Sequence, residues 1–319
     1  MKICYVAKHG NGANGDEGAI TYALEQLGHA VTCVRERDSV LTTNGRSSFC
    51  DFLAADLVLS HKWSDWAVLS AIKIPKVSWY FDLVEYPSDP TLRGRDTSRR
   101  EWMQAALPLV DLMFCTDGEW VRNAGTYELL APHAHKLHWL MQGADERITF
   151  FGSAADLEPV DILFTGSVYK CGKERSAFVQ DMTARYGERF HWVNSGPGGS
   201  PVYRRQLTDL IASARVVVAP DSPVAPAYWS NRAYVTLGFG GFFLHPQCGL
   251  TEHYADGKEV LFYRDKEQLY SLIEESLART DSDRAGIKWA ALERTREEHL
   301  YRHRVEELLR VVKEKVGVS

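Results

Sequence analysis

The chain has 319 residues, with 45% hydrophobic residues, 25% charged residues and a formal net charge of −5 at pH 7. This length is about twice that of a typical domain, so we expect two domains with separate cores. The modest negative charge excludes a general attraction to nucleic acid or to an acidic membrane surface, although a local basic patch stays compatible with it.

The apolar runs are short, and none reaches the roughly 18 residues that would cross a bilayer. The first residues, MKICYVAKHGNG, are too weakly apolar for a signal peptide. The six cysteines lie far apart and form no Cys-x-x-Cys pair, as is usual for reduced thiols. We therefore expect a folded cytoplasmic protein without membrane insertion.

Strand-like apolar runs alternate with segments of helical period through the first half of the chain. KICYVA precedes AITYALEQLGH, LVLSH precedes SDWAVLSAIK, and DLMFCT precedes EWVRNAGTYEL. This alternation predicts parallel strands with right-handed crossovers and helices on both faces of the sheet. We assign this first Rossmann-like domain to residues 1–145.

The pattern weakens after residue 142 and restarts with DILFTG, followed by FHWVN, RVVVAP, GFFLH and VLFY. Each of these runs precedes a helical stretch, and the sequence from residue 266 onward has helical spacing almost throughout. The second half is therefore predicted to be another doubly wound α/β domain, residues 146–319, with a helical C-terminus.

Ligands of open α/β sheets bind at the carboxyl ends of the strands, so the loops that leave strands are the candidate sites. Asp16 and Glu17 follow the first predicted strand and a glycine-rich loop, and Asp82 follows the run KVSWYF. Asp16 and Glu17 are either ordinary acids at a helix start or carboxylates that approach a substrate hydroxyl. Asp82 ends a strand, a position suited to a catalytic or substrate-binding carboxylate.

Four arginines follow Asp82 within a short stretch: Arg93, Arg95, Arg99 and Arg100. Together with nearby aromatic residues they could bind a phosphate-rich polymer such as DNA. The alternative interpretation is a charged loop that is merely solvated.

Two segments of the second half combine glycines with groups that bind anions. The first, FTGSVYKCGKER, ends a predicted strand and is not a Walker motif. The second, YWSNRAYVTLGFGGFFLHP, predicts a helix that begins near Ser230 or Asn231 and stops at a glycine pair, and a helix N-terminus attracts anions. The predicted binding residues are Gly166, Ser167, Lys170, Lys173, Arg175, Tyr228, Trp229, Ser230, Asn231, Arg232, Gly240 and Gly241.

These segments, together with GLTEHYADGKEVLFYRDKEQL and HLYRHR, resemble GT-B glycosyltransferases of the group 1 and CgeB-like families. The resemblance implies two facing Rossmann-like domains, with the nucleotide sugar on the second and the acceptor on the first. It further implies that Arg175 and the helix start at Ser230 and Asn231 contact the diphosphate, that Tyr228 or Trp229 stacks on the base, and that the last helix returns to the first domain. Ala227 and Val235 stand where the retaining families carry glutamates.

The resemblance implies a transfer of a hexosyl or pentosyl group from a nucleotide sugar to an acceptor hydroxyl. Asp16, Glu17 or Asp82 would orient or deprotonate the acceptor. Three alternatives stay open: a DNA glycosyltransferase acting on a hydroxylated base, a nucleotide-sugar epimerase, and an inactive GT-B binding protein.

The sequence predicts no metal site and no cofactor. His133, His135 and His138 cannot all face one side of a strand, and no cysteine or carboxylate completes a ligand set. Arginine, lysine and the helix dipole would then compensate the diphosphate charge.

Overall fold

The structure is a computed structural model. It describes residues 1–9, 15–36, 54–84, 93–128, 130–148, 159–168, 172–193, 205–220 and 225–318. At residues 93–96, 172–173 and 205 it describes the backbone alone. The predicted site residue Lys170, together with the side chains of Lys173, Arg93 and Arg95, therefore lies outside the described part of the chain.

The chain divides into two compact units. Unit 1 comprises Met1–Tyr86, Leu92–Gln142 and Tyr301–Ser319, and unit 2 is mainly Gly143–Leu300. The sequence interpretation divided the chain at residue 145, whereas the units divide at residue 142 and the last helix is grouped with unit 1.

Unit 1 contains a six-stranded parallel sheet, ordered β2-β1-β3-β4-β5-β6. Its strands are β1 (Lys2–Ala7), β2 (Ala30–Arg35), β3 (Leu57–Ser60), β4 (Lys76–Tyr80), β5 (Leu112–Cys115) and β6 (Leu137–Trp139). Unit 2 contains a five-stranded parallel sheet, ordered β11-β10-β9-β7-β8. Its strands are β7 (Ile162–Thr165), β8 (Phe190–Val193), β9 (Val216–Val218), β10 (Phe243–Pro246) and β11 (Leu261–Tyr263).

Helices connect these strands, as the crossovers of parallel sheets require. In unit 1 the connecting helices are α1 (Asp16–Gln26), α2 (Trp66–Ala71), α3 (Arg93–Ala106) and α4 (Gly118–Asn123). In unit 2 they are α5 (Gly172–Tyr186), α6 (Arg205–Ser213), α7 (Arg232–Gly238) and α8 (Lys266–Ala278). Two long helices end the chain, α9 (Asp281–Glu298) and α10 (Tyr301–Val316). Among the described helices, none combines the length and apolarity needed to span a membrane.

Both faces of the unit 1 sheet are covered, because successive strand residues point to opposite sides. Ile3 and Tyr5 of β1 pack in one core with Ala19 of α1 and Val305 of α10. Cys4 of β1 packs in the other core with residues of α2, α3 and α4. The central strands β3 and β5 are buried along their whole length, which is typical of a parallel sheet with helices on both faces.

Two lysine side chains bind carbonyls at helix ends, one partly buried and one buried. Lys136 Nζ donates to the carbonyls of Leu107 and Val110 just after α3, at 3.1 and 2.8 Å. Lys288 Nζ, on α9, donates to the carbonyls of Ala212 and Ala214 at the end of α6, both at 2.8 Å. A positive group at a helix C-terminus satisfies carbonyls that lack an intrahelical partner and complements the helix dipole.

Candidate functional site

The predicted site residues follow strands at the carboxyl edges of the two sheets, where open parallel sheets bind ligands. In unit 2 the exit of β7 is the best-defined part of this edge. Three consecutive carbonyls there accept hydrogen bonds from side chains of three different elements. Thr165 O accepts from Arg232 Nε at 2.7 Å, Gly166 O from Trp192 Nε1 at 2.9 Å, and Ser167 O from Arg175 Nη1 at 3.0 Å. Trp192 was absent from the sequence prediction, because an aromatic residue inside a strand gives no signal of this role.

Two guanidinium groups therefore converge on one loop, Thr165 to Ser167, which we call the β7 exit. Arg175 lies in the first turn of α5 and is 6% exposed. Arg232 opens α7, and its Nη1 lies 3.5 Å from Ser230 Oγ. A guanidinium has five N–H donors, so it can bind a carbonyl and a phosphate at the same time.

Gly166 makes room for the Arg232 guanidinium. Its φ of 150° lies in a region that favours glycine, and a Cβ there would lie 2.6 Å from Arg232 Nη2 and 3.2 Å from the Phe164 ring. The Arg232 guanidinium lies over that ring, with Cζ 5.4 Å from the ring centroid. The glycine at the strand end is thus required by the close approach of Arg232 to the backbone.

The start of α7 agrees with the prediction of a helix that begins near Ser230 or Asn231. Asn231 occupies the N-cap position with helical angles and makes no side-chain cap bond. Trp229 is fully buried. The prediction that Tyr228 or Trp229 stacks on a base stays a prediction. Tyr228, Ser230, Asn231 and Arg232 are partly exposed, and their role in binding stays a prediction.

Gly240 and Gly241 are buried and directly precede β10, so they lie at the amino edge of a parallel sheet, opposite the strand exits. Gly240 has a φ of 73°, and a Cβ on Gly241 would lie 2.7 Å from Thr236 Cγ2 and 2.8 Å from Ile211 Cγ2. The glycine pair ends the helix and lets α7 pack closely. The predicted part of the pair in ligand binding stays a prediction.

Ala227 is 3% exposed and Val235 is partly buried on α7. Neither side chain carries a hydrogen-bonding group. A ribose contact of the kind that the resemblance implies would need other residues of this chain.

In unit 1 the carboxyl edge holds a group of ions around Asp82, which follows β4. Lys62, which follows β3, pairs with the Asp82 carboxylate, and Arg99 Nη2 lies 3.7 Å from the same Asp82 oxygen. Arg99 also donates to the carbonyl of Leu83. The sequence prediction included Asp82 and missed Lys62. The signal that could have indicated Lys62 is its position as a polar residue directly after the run LVLSH.

The backbone is strained at this edge. Among the described residues that are not glycine, a positive φ occurs at His9, with 44°, and at Lys62, with 55°. Both follow neighbouring parallel strands, β1 and β3. Such conformations cost about 1 kcal/mol or more and cluster at functional sites.

His61 lies against the Phe81 ring at a centroid distance of 4.1 Å. Burial, and then the positive charge of Lys62, lowers the pKa of His61 to about 3. The charge of Asp82 raises the pKa of His61, whereas the charge of Lys8 lowers it, as that of Lys62 does. All three charges therefore act on the imidazole. His61 is therefore neutral at physiological pH.

Asp16 and Glu17 form the first turn of α1, where acids interact favourably with the helix dipole. Burial, and then the charges of Glu17 and Asp16, raises the pKa of the buried Tyr5 hydroxyl. Both carboxylates therefore face the end of β1, and their role as acceptor-orienting groups stays a prediction.

The arginine group predicted to bind a polymeric acceptor is divided by the fold. Arg99 is 7% exposed and bonded to a carbonyl, and the predicted contact of the four arginines with a phosphate-rich polymer stays a prediction. Arg100 is partly exposed on the same helix. Within the described part of the chain, no group of three or more His, Cys, Asp or Glu residues is arranged to hold a metal ion.

Comparison with known structures identifies the fold. The chain aligns over its whole length, and over the whole of the other chain, with a sucrose-phosphate synthase from Thermosynechococcus elongatus, at a TM-score of 0.70 and 15% identity. The alignment with Anabaena HepE, solved in complex with UDP-glucose, covers 98% of this chain and 100% of HepE, at a TM-score of 0.63 and 12% identity. An α,α-trehalose 6-phosphate synthase from Burkholderia multivorans aligns over 100% and 99% of the two chains, at a TM-score of 0.62 and 12% identity. The protein thus has the GT-B fold, as predicted.

Residues 164–310 match the family model described as "Glycosyl transferase-like". This region begins in β7, so it includes the whole β7 exit, and it extends into α10. The predicted resemblance to GT-B glycosyltransferases is confirmed, while the narrower likeness to CgeB-like proteins stays a prediction. A comparison with curated proteins finds no significant match.

Proposed function

We propose that the protein transfers a sugar from a nucleotide sugar to an acceptor hydroxyl, with the donor bound by unit 2 and the acceptor by unit 1. The observation that carries this proposal is the β7 exit, where Arg232 and Arg175 are bonded to the carbonyls of Thr165 and Ser167. The proposal is further supported by the family match of the region and by the likeness to HepE, a protein solved with UDP-glucose.

The departing nucleotide gains negative charge as the glycosidic bond to phosphate breaks. Cations that are already fixed in place stabilise such charge without reorganising during the reaction. Arg232 is fixed by its bond to Thr165 and by contact with Gly166 and Phe164. Arg175 is fixed by its bond to Ser167. We propose that these two guanidiniums do the work that a divalent ion does in metal-dependent transferases.

Asp82 is the carboxylate of unit 1 that we propose to orient the acceptor hydroxyl. Its bonds to Lys62 and its proximity to Arg99 hold it in place, and its side chain is still 38% exposed. Asp16 and Glu17 are the other predicted orienting groups. The sugar and the nucleotide of the donor follow from none of these contacts.

Isothermal titration calorimetry with UDP, ADP and GDP tests the donor site. We expect one of these diphosphates to bind the wild-type protein and to bind Arg232→Gln about tenfold more weakly or worse, because a charge-assisted hydrogen bond contributes about 1.5–3 kcal/mol. Arg215→Gln is the matched control, since Arg215 is an exposed arginine of unit 2 that pairs with Asp161. Equal affinities of the two variants, or no binding of any diphosphate, would contradict the proposal.

Turnover separates the proposed transferase from the alternatives. With the matching nucleotide sugar, a transferase releases nucleoside diphosphate and forms a glycosylated acceptor, whereas an epimerase converts the donor without an acceptor. A binding protein leaves the donor intact.

A further inference from the structure

We propose that the acceptor carries a phosphate group and that Lys62 binds it, leaving Asp82 as the acceptor enters. This inference rests on the proposed function, because it names the class of acceptor that unit 1 receives. It starts from the ions at the exits of β3 and β4, namely Lys62, Asp82 and Arg99, which we call the Asp82 cluster.

The cluster holds two cations against one carboxylate. Lys62 and Arg99 both approach the same oxygen of Asp82. The Asp117 carboxylate on the next strand exit accepts from the backbone N–H groups of Val84, at 2.9 Å, and Trp120, at 3.0 Å, so the start of α4 compensates its charge. His61 is neutral and adds no charge. The three residues of the cluster thus carry two positive charges and one negative charge.

The two cations differ in their freedom to move. The Arg99 side chain is 8% exposed and is bonded to the Leu83 carbonyl, so it stays with Asp82. The Lys62 side chain is 29% exposed, and its ammonium also lies 5.0 Å from the centre of the Tyr80 ring. Lysine is a point charge on a flexible stem and changes partners readily. Lys62 is thus the group that can turn to a ligand.

The backbone conformation of Lys62 is energetically unfavourable. The φ of 55° at Lys62 is unfavourable for a residue with a Cβ, and a lysine that served only an exposed ion pair would contribute little to stability. Lys62 follows β3 and so lies at the carboxyl edge of the sheet, where substrates of this architecture bind. These observations favour a binding role for Lys62.

The charge of the ligand follows from the competition with Asp82. A neutral sugar offers hydroxyls, which cannot displace a carboxylate from an ammonium. A phosphate monoester carries about −1.5 to −2 charges at pH 7 and three acceptor oxygens, against one charge on Asp82. A phosphorylated acceptor is therefore the ligand that draws Lys62 away and leaves Asp82 to accept from the acceptor hydroxyl.

Isothermal titration calorimetry with glucose, glucose 6-phosphate and inorganic phosphate tests this inference, with UDP present in excess to occupy the proposed donor site. We expect phosphate and glucose 6-phosphate to bind the wild-type protein at least tenfold more tightly than glucose. Lys62→Gln should weaken the binding of both phosphates about tenfold, and Lys62→Arg should restore most of it. Asp82→Asn should tighten phosphate binding severalfold, because it removes the competing carboxylate. Lys73→Gln, which changes an exposed lysine of unit 1, should have no effect.

The inference is overturned if glucose and glucose 6-phosphate bind equally, or if phosphate binding is the same in the wild type and Lys62→Gln. It is also overturned if Asp82→Asn weakens phosphate binding, since Asp82 would then not compete for Lys62. Failure of the donor proposal has a different signature. In that case UDP does not bind the wild-type protein, while the phosphate binding that depends on Lys62 persists.

Discussion

Replacement of Gly166 by alanine tests whether the β7 exit is built around Arg232. The φ of 150° is unfavourable for alanine and costs about 1–3 kcal/mol. The new Cβ would lie 2.6 Å from Arg232 Nη2, and overpacking of this kind costs about another 1–3 kcal/mol. We expect Gly166→Ala to lower the free energy of unfolding by about 2–6 kcal/mol in urea denaturation.

The clash disappears when the guanidinium is removed, whereas the backbone strain does not. In an Arg232→Ala background, Gly166→Ala should therefore cost about 1–3 kcal/mol less than in the wild type, a coupling that a double-mutant cycle measures. Gly187→Ala is the control, because Gly187 has a φ of 55° and no atom within 4 Å of the added Cβ. Its cost should be the same in both backgrounds. Additive effects of Gly166→Ala and Arg232→Ala, within about 0.5 kcal/mol, would refute the contact on which the donor site depends.

Three further predictions concern stability and ionisation. Burial lowers the pKa of Lys288 to about 8, so between about pH 8 and 10.5 the unfolded chain holds a proton that the folded chain lacks. The free energy of unfolding should therefore rise with pH in this range. Urea titrations at pH 7.5 and 10 should show this rise in the wild type and not in Lys288→Met. Asp117→Ala should lower the free energy of unfolding by about 2–4 kcal/mol in urea denaturation, because the buried carboxylate caps α4 and also accepts from Val84 N. The control Asp65→Ala removes the single cap bond of α2 and should lower it by about 1 kcal/mol. The imidazole of His61 should show no titration shift by NMR between pH 5 and 8. Lys62→Met should raise the pKa of His61, because it removes a positive charge that lowers this pKa. A normal titration of His61 in the wild type would contradict the proposed environment.

The fold followed from the sequence because a doubly wound sheet has a strong local signature. Fully buried strands such as β3 and β5 appear as continuous apolar runs, and the helices between them have their own period. The position of Asp82 at a strand exit followed from the same pattern. Lys62 was missed because its importance depends on β3 and β4 being neighbours, and strand order is not a local property.

The segment around α7 shows the limits of motif reading in physical terms. A glycine pair indicates close approach, but the sequence does not say of what; at Gly241 it is the approach of Ile211 and Thr236 within the fold. Likewise an aromatic residue before a helix can stack on a ligand or fill a core, and Trp229 fills the core. Burial depends on which elements pack together, so both distinctions required the structure.

A crystal structure of the protein with bound UDP tests the central claim most directly. The account predicts diphosphate oxygens within hydrogen-bonding distance, about 3 Å, of the Arg232 guanidinium at the β7 exit. A diphosphate bound elsewhere, with Arg232 and Arg175 contacting only the carbonyls of Thr165 and Ser167, would contradict it.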